Sequence, residues 1–285
     1  MKLNKNHKIL IVGLGLIGGS YALALKDKGY EVGAISLNQD DIDYALENNI
    51  INHGFNYVDK EYVKSFDVVI FALYPNVFID WISNYHNYFK KGTIISDVTG
   101  VKGVIVDKIQ NILGDDVEFV PAHPMAGREV YGVKNASKDL FKGANLIITP
   151  TEKNTLSGIE LIHNVGEELE FLNIVNLSVD EHDEMIAFLS QLTHCIAISL
   201  MTCKESEHLK EYTGDSFRDL TRIASINENM WTELFLLNKD ELLSQMDLFI
   251  NEFIKLKEYI SQENEEKIKE MMKLSTYRRS FFNKK

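Results

Sequence analysis

Lys8-Ile9-Leu10-Ile11-Val12 is a largely apolar run that passes straight into Gly13-Leu14-Gly15-Leu16-Ile17-Gly18-Gly19-Ser20. No other stretch restricts the fold as much. A short aliphatic run bounded by glycine reads as a strand buried on both faces. The segment after it, 20–28, reads as a helix closed by Gly29. In that setting each glycine of the G-x-G-x-x-G pattern has its own task. Gly13 makes the tight turn, Gly15 lets the backbone approach a pyrophosphate, and Gly18 lets helix pack closely on strand. The phosphates would rest on the helix N-terminus, where free N–H groups and aligned peptide dipoles favour an anion. Leu16 and Ile17, inside the same turn, join the three glycines as candidate dinucleotide contacts.

Strand and helix patterns then alternate. A second strand over 31–35 ends at Ser36, a third over 67–73 ends at Leu73 before Tyr74-Pro75, and a fourth over 93–97 reaches Ser96-Asp97 and the turn Val98-Thr99-Gly100-Val101-Lys102. The strand into His123, another over 145–149, and a helix–strand pair at 156–169 and 172–177 extend the series. This alternation implies an α/β domain built on a doubly wound parallel sheet. The strand ends bring Gly13, Ser36, Leu73, Ser96 and His123 to one edge, where such sheets keep their ligand crevice. An acid usually stands at the end of the second strand to hold the adenosine ribose of NAD. Ser36 stands there instead, followed by Leu37, Asn38 and Gln39, with no arginine for a 2′-phosphate. NAD is the expected cofactor and NADP the alternative.

Glu118-Phe119-Val120-Pro121-Ala122-His123-Pro124-Met125-Ala126-Gly127 places a histidine between two prolines. Each proline fixes its own φ and pushes the residue before it toward extended geometry. His123 therefore sits on a stiff mount near the nicotinamide end of the expected cofactor.

The four prolines all precede residue 151, and the strand pattern stops near Ser178. Two domains follow from this, 1–177 and 178–285, the second all-helical. Asp180-Glu181-His182-Asp183-Glu184 opens a long apolar helix with acids in its first turn, as the helix dipole prefers. Ser190 and His194, four apart, share a face of it. Arg222 sits among apolar neighbours and needs an anion or several acceptors, Asp219 being the local choice. Asn227 is the expected cap of the next helix. Leu242, Met246, Phe249, Phe253, Leu256 and Ile260 form a coiled-coil-like seam that suits packing within a helical domain or a dimer.

A net charge of −12 argues against nucleic acid or an anionic membrane as partner. It also obliges any pocket for an anionic substrate to supply local arginine, lysine or helix N-termini. Cys195 and Cys203 form no ligand-like cluster, so neither a disulfide nor a metal site is expected. No signal peptide precedes the first strand, and the apolar run near 196–201 is far shorter than the ~20 residues of a membrane span. A cytoplasmic protein is expected.

Together these segments resemble the prephenate dehydrogenase family. The resemblance covers nearly the whole chain and is most specific at 13–20, at Ser96 to Lys102, at His123 to Gly127 with Glu129, at Ser190 to His194, and at Thr221-Arg222-Ile223-Ala224 with Met230-Trp231. It implies a Rossmann-like domain, an all-α dimerisation domain that makes a homodimer, and a site between them that binds a small molecule, prephenate or arogenate. It implies oxidative decarboxylation of prephenate to 4-hydroxyphenylpyruvate with hydride transfer to NAD(P). His123 resembles the catalytic histidine, Arg222 the arginine that holds a substrate carboxylate, and Ser190 and His194 the residues that contact substrate from the helical domain. Glu129 matches an acid beside the pocket, and Arg218, Lys102 and Arg128 are possible helpers in holding a dianion. Three departures stand out. Gly100 occupies a position where the family often has serine, leaving Ser96 and Thr99 as the candidate hydroxyls. Gln191 and Thr193 replace a common histidine and proline, and Ser36 replaces the usual acid. The rival readings are arogenate dehydrogenase, a β-hydroxyacid dehydrogenase or imine reductase, and a non-catalytic nucleotide sensor. The second would place lysine or aspartate where this chain has Ser190 and His194.

Overall fold

The computed structural model describes residues 2–128, 130–205 and 208–282. The first strand, β1 (Lys8–Val12), leads into α1 (Leu16–Asp27), followed by β2 (Glu31–Ile35), α2 (Gln39–Glu47), β3 (His53–Phe55), α3 (Lys60–Lys64), β4 (Val68–Phe71) and α4 (Pro75–Tyr85). Then come β5 (Ile94–Asp97), α5 (Gly103–Ile112), β6 (Glu118–Phe119), β7 (Ala122–Met125), β8 (Asn145–Ile148), α6 (Leu156–Glu168) and β9 (Asn173–Asn176). The remainder is helical: α7 (Val179–Ile186), α8 (Leu192–Thr202), α9 (Asp215–Thr221), α10 (Glu228–Leu237), α11 (Lys239–Ser261) and α12 (Glu265–Ser280).

Six strands form a parallel sheet in the order β3-β2-β1-β4-β5-β6, with β1 paired to β2 and β4. Alternate residues of β1 feed different layers: Ile9 and Ile11 pack with α1 and α6, while Leu10 and Val12 pack with Phe66, Phe78 and Ile105 on the other face. Each such fully buried aliphatic contributes about 1.5–3 kcal/mol. That is why the strand reads as a continuous apolar run. Gly13 has φ +100°, open to glycine, and a Cβ at Gly18 would collide with the Gly13 carbonyl oxygen.

The strand expected to run through 118–124 is two strands. Val120 N–H still donates to Ile95 O at 2.8 Å, but Pro121 has no N–H to offer. The next donor, Ala122 N–H, turns to the Asp97 side chain at 3.1 Å. β7 then starts a separate three-stranded sheet, antiparallel to β8, which pairs in parallel with β9. His123 lies within β7, opposite Ile147, rather than at the tip of a parallel strand.

Ser178 caps α7 through a reciprocal bond with Glu181, and Asn227 caps α10 by accepting from Met230 N–H at 2.9 Å. α7 and α8 are joined by a π-helical turn, Ala187–Gln191. The continuous helix Val179–Thr202 has 24 residues and is apolar enough, by length and composition, to cross a membrane. Its buried His182, Asp183 and Gln191 are each hydrogen-bonded inside the protein, as polar groups on a core helix must be. The chain separates into compact units Met1–Asn238 and Lys239–Lys285. The second consists of α11 and α12 packed on one another, joined through Glu263 at φ 52°.

Replacing Gly18 with alanine forces the β1–α1 turn apart. Thermal unfolding of Gly18→Ala should show a loss of about 1–3 kcal/mol, the usual cost of overpacking. An unchanged melting temperature contradicts the packing described.

Candidate active site

The floor of the site is a buried ion pair. Asp97, the last residue of β5, and Lys102, before α5, have no exposed side-chain surface and meet at 2.6 Å. Asp97 also accepts from Thr99 N–H at 3.0 Å, from the Thr99 hydroxyl, and from Ala122 N–H at 3.1 Å. Lys102 Nζ donates to Ala122 O at 2.6 Å and to Thr99 Oγ1 at 3.2 Å. Such a pair is tolerated only when every remaining donor and acceptor is satisfied, and here they clamp both polar groups of Ala122. The residue held next to that clamp is His123.

His123 is half-buried and its Nδ1 lies 3.0 Å from His182 Nε2. His182 is fully buried on α7, and its Nδ1 lies 2.7 Å from Asp183 Oδ1. Asp183 accepts in turn from Lys102 N–H at 2.9 Å and Gly103 N–H at 2.7 Å, the first free donors of α5. Desolvation holds His123 well below the ordinary imidazole value, and the neighbouring His182 and Lys102 oppose its protonation in the same direction. Burial likewise lowers His182, opposed by its bond to Asp183. Both rings are neutral at pH 7.

A Cβ placed on Gly100 would lie 3.6 Å from a Leu234 methyl and 3.8 Å from His123 Cε1. Gly100, His123 and Leu234 of α10 therefore share one locality. One turn before Leu234 on α10, Trp231 packs against His194 with ring centroids 3.7 Å apart and the planes tilted by 40°. His194 Nδ1 donates to Ile223 O at 2.9 Å, tying α8 to the 3-10 turn Arg222–Ala224. Gln191 donates to Leu234 O and accepts from Asn238, each at 2.9 Å, which fixes α10 against the π turn.

Several expected site residues are placed differently from their sequence reading. Thr99 is 3% exposed and its hydroxyl is engaged with Asp97 and Lys102, so it supports the floor and does not face a substrate. Ser96 is buried within β5. Lys102 is held under His123 and cannot serve as a surface helper for a dianion. Arg218 is exposed and paired with Asp215 at 2.7 Å, and Arg128 is exposed. Arg222 is exposed rather than partly buried. Ser190 is half-buried within the π turn. Glu129 lies outside the described residues. In the sequence, His182 and Asp183 belong to an acidic first turn. The signal that distinguishes them is a polar pair on the inward side of an otherwise apolar helix.

At the other end of the edge, Gly15 has open space where a Cβ would stand, and α1 begins without a side-chain cap. Leu16 is buried, Ile17 half-buried, and Leu73 packs beside Gly13. Ser36 is half-buried at the end of β2. These are the features that let a pyrophosphate sit on a helix N-terminus.

A parallel sheet with this turn, and a neutral histidine in the adjoining β7 beside Gly100, are those of a nucleotide-dependent oxidoreductase. The model of the prephenate dehydrogenase nucleotide-binding domain matches residues 21–172, and that of the prephenate dehydrogenase dimerization domain matches 178–274. The chain belongs to the prephenate dehydrogenase family. It is 32% identical to prephenate dehydrogenase of Bacillus subtilis over 91% of this chain and 72% of that one. It is 30% identical to cyclohexadienyl dehydrogenase of Zymomonas mobilis, over 94% of this chain and 93% of that one. A crystal structure of prephenate dehydrogenase from A. aeolicus, in complex with hydroxyphenyl propionate and NAD+, superposes with a TM-score of 0.90 at 29% identity, covering 99% and 100% of the two chains.

In the unfolded chain a histidine titrates near 6.5, whereas His123 and His182 resist protonation until lower pH. The unfolded state therefore binds more protons below 6.5, and stability falls as pH drops through that window. Denaturant midpoints should be lower at about pH 5.5 than at about pH 7.5, with the gap narrowed in His123→Asn. A gap that His123→Asn leaves unchanged contradicts the assignment to His123.

Proposed function

We propose that this chain carries out NAD-dependent oxidative decarboxylation of prephenate to 4-hydroxyphenylpyruvate, the tyrosine-forming branch of aromatic amino acid biosynthesis. Arogenate, the amino analogue, is the alternative substrate for the same ring chemistry. The observation that carries the reading is His123, a desolvated, unprotonated imidazole on a proline-fixed mount beside Gly100 and Leu234. The ligand of the A. aeolicus enzyme, a phenol with a carboxylate side chain, supports an aromatic product.

When bound, NAD accepts hydride from C4 of the substrate ring. Gly13, Gly15, Leu16, Ile17 and Gly18 would hold its pyrophosphate, with Leu73 and Ser36 flanking the nicotinamide and adenosine sides. Asn38 already caps α2, and Asp40 and Asp41 occupy its first turn. A 2′-phosphate there would meet like charge, which favours NAD over NADP. His123 accepts the proton of the ring hydroxyl as negative character builds on that oxygen. Arg222 holds the ring carboxylate, as a fork suited to carboxylates does. His194 and Ser190 contact the substrate from the helical side, and Glu129 is carried over only as the match to the family's acid. Ser96 and Thr99 act through the floor that positions His123. Loss of CO2 makes the ring aromatic, which supplies the driving force, so orientation and proton acceptance are the main tasks left to the protein.

We assign 1–177 to the nucleotide-binding domain and 178–285 to the helical domain, and infer a cytoplasmic homodimer that engages neither nucleic acid nor membrane. α11 exposes Phe249, Ile250, Phe253 and Ile254, and α12 exposes Met272, Leu274 and Tyr277. An apolar surface of that extent suits burial against a second copy.

Formation of reduced nicotinamide, followed by absorbance with NAD or NADP and prephenate or arogenate, tests the reading. Turnover is expected with NAD and prephenate, and none in any of the four mixtures sinks it. His123→Asn should lower kcat on the order of 10²–10⁴-fold, the usual worth of a general base, with KM little changed. Phe253→Glu should shift the mass measured by light scattering from dimer to monomer, whereas an unmoved dimer places the interface elsewhere.

A further inference from the structure

Behind His123 stands a chain of acceptors and donors whose directions can be worked out. The Asp183 carboxylate has no hydrogen to give, and two backbone N–H groups of the α5 turn already point at it, from Lys102 and Gly103. The 2.7 Å contact with His182 therefore requires the proton on His182 Nδ1. His182 is fully buried beside the Lys102 ammonium, so it takes no second proton and its Nε2 is a bare acceptor. The 3.0 Å contact between His182 Nε2 and His123 Nδ1 then requires the hydrogen on His123 Nδ1. In a neutral imidazole with Nδ1–H, the other nitrogen carries the lone pair.

We propose that Asp183 and His182 are positioning residues that set the tautomer of His123, presenting Nε2 as an unprotonated base to the substrate hydroxyl. This rests on the reading of His123 as that base. In the reacting complex the C4–H bond breaks with its electron pair, which leaves as hydride to NAD. The hydroxyl proton passes to His123 Nε2, and the bond to the ring carboxylate breaks with its electrons entering the ring. His123 becomes an imidazolium that still donates through Nδ1 to His182, with the Asp183 carboxylate one ring further on to offset its charge. The carboxylate is also fixed by the N-terminus of α5, so the tautomer of His123 is tied to the seating of α7 on the sheet.

Asp183→Asn separates this role from simple helix capping. Asparagine caps a helix as well as aspartate does, so its carboxamide oxygen can take the place of Oδ2, which accepts from Gly103 N–H at 2.7 Å and from Lys102 N–H at 3.2 Å. Its NH2 then faces His182 Nδ1, which must become the acceptor. The order of donors reverses along the chain and puts the hydrogen on His123 Nε2, where the lone pair is needed. A buried aspartate behind a catalytic histidine loses on the order of 10⁴-fold in kcat on this exchange. A loss of at least ~10²-fold is expected here, with the KM for substrate and the melting temperature close to those of the parent. His182→Gln is the control. Its amide oxygen can accept from His123 Nδ1 and its NH2 can donate to Asp183, so kcat should stay within about tenfold of the parent.

Ring ¹⁵N spectra of the full chain labelled at histidine read the tautomer directly. His123 is expected with Nδ1 protonated and Nε2 bare in the parent and in His182→Gln, and reversed in Asp183→Asn. Asp183→Asn with parental kcat overturns the proposal, as does lost activity with an unreversed ring. If the spectra behave as expected but His123→Asn is fully active, the tautomer assignment stands and the reading of His123 as base fails, so the two are told apart.

Discussion

Lys102 is the residue on which the rest of the site depends. Its side chain, wholly buried against Asp97, holds Ala122 and so the mount of His123. Its main chain donates to Asp183 and so anchors α7. A lysine in an apolar interior is costly unless its charge is paired and its donors used. Here burial draws the ammonium below its ordinary value while Asp97 resists that shift. The same arrangement that makes the charge tolerable also joins the parallel sheet, the β7 sheet and the helical segment at one point. Such a node stabilises less than an apolar cluster of the same volume, but it fixes register, because each partner has a single place where its bonds close.

The electrostatic consequence follows from distance and burial. Desolvation, with the Lys102 charge pushing the same way, keeps both imidazoles neutral, which is the state a proton acceptor needs. With a net charge of −12 the protein presents an acidic field to any carboxylate substrate. The buried lysine cannot offset that field at the mouth of the site, since its donors are spent on Asp97, Thr99 and Ala122. On the reading proposed above that task falls to Arg222, which opens the 3-10 turn whose Ile223 carbonyl bonds His194.

The sheet was legible because its strands are buried on both faces, so β1, β4 and β5 show as unbroken apolar runs beside glycine or proline. The turn at Gly13 to Gly18 was legible for steric reasons that act within six residues. The break at Pro121 was harder to read, since the lost ladder bond is replaced by a side chain 25 residues away. His182 and Asp183 were hidden by a local explanation that is also true. Acids in the first turn of α7 do complement its dipole, and only the fold reveals that Asp183 turns inward to cap a different helix. Arg222 misled in the opposite direction, because apolar neighbours in sequence do not bury a residue at the start of an exposed turn.

Gly100 sharpens the point about His123. A side chain there would touch the imidazole edge and Leu234 at ordinary van der Waals distance, so the position has room for a hydroxyl that this chain does not supply. Thr99 cannot substitute, since its oxygen is bound beneath the turn to Asp97 and Lys102. Among the described residues, the polar contact to the His123 ring comes from behind, through His182. A base held from one side only keeps its direction if the group behind it is itself immobile. Full burial of His182, two backbone donors on Asp183 and the Asn238 amide on the Asp183 carbonyl at 2.9 Å provide that immobility. On the tautomer proposed above, the Nε2 lone pair of His123 takes its direction from the packing of α7 against α5.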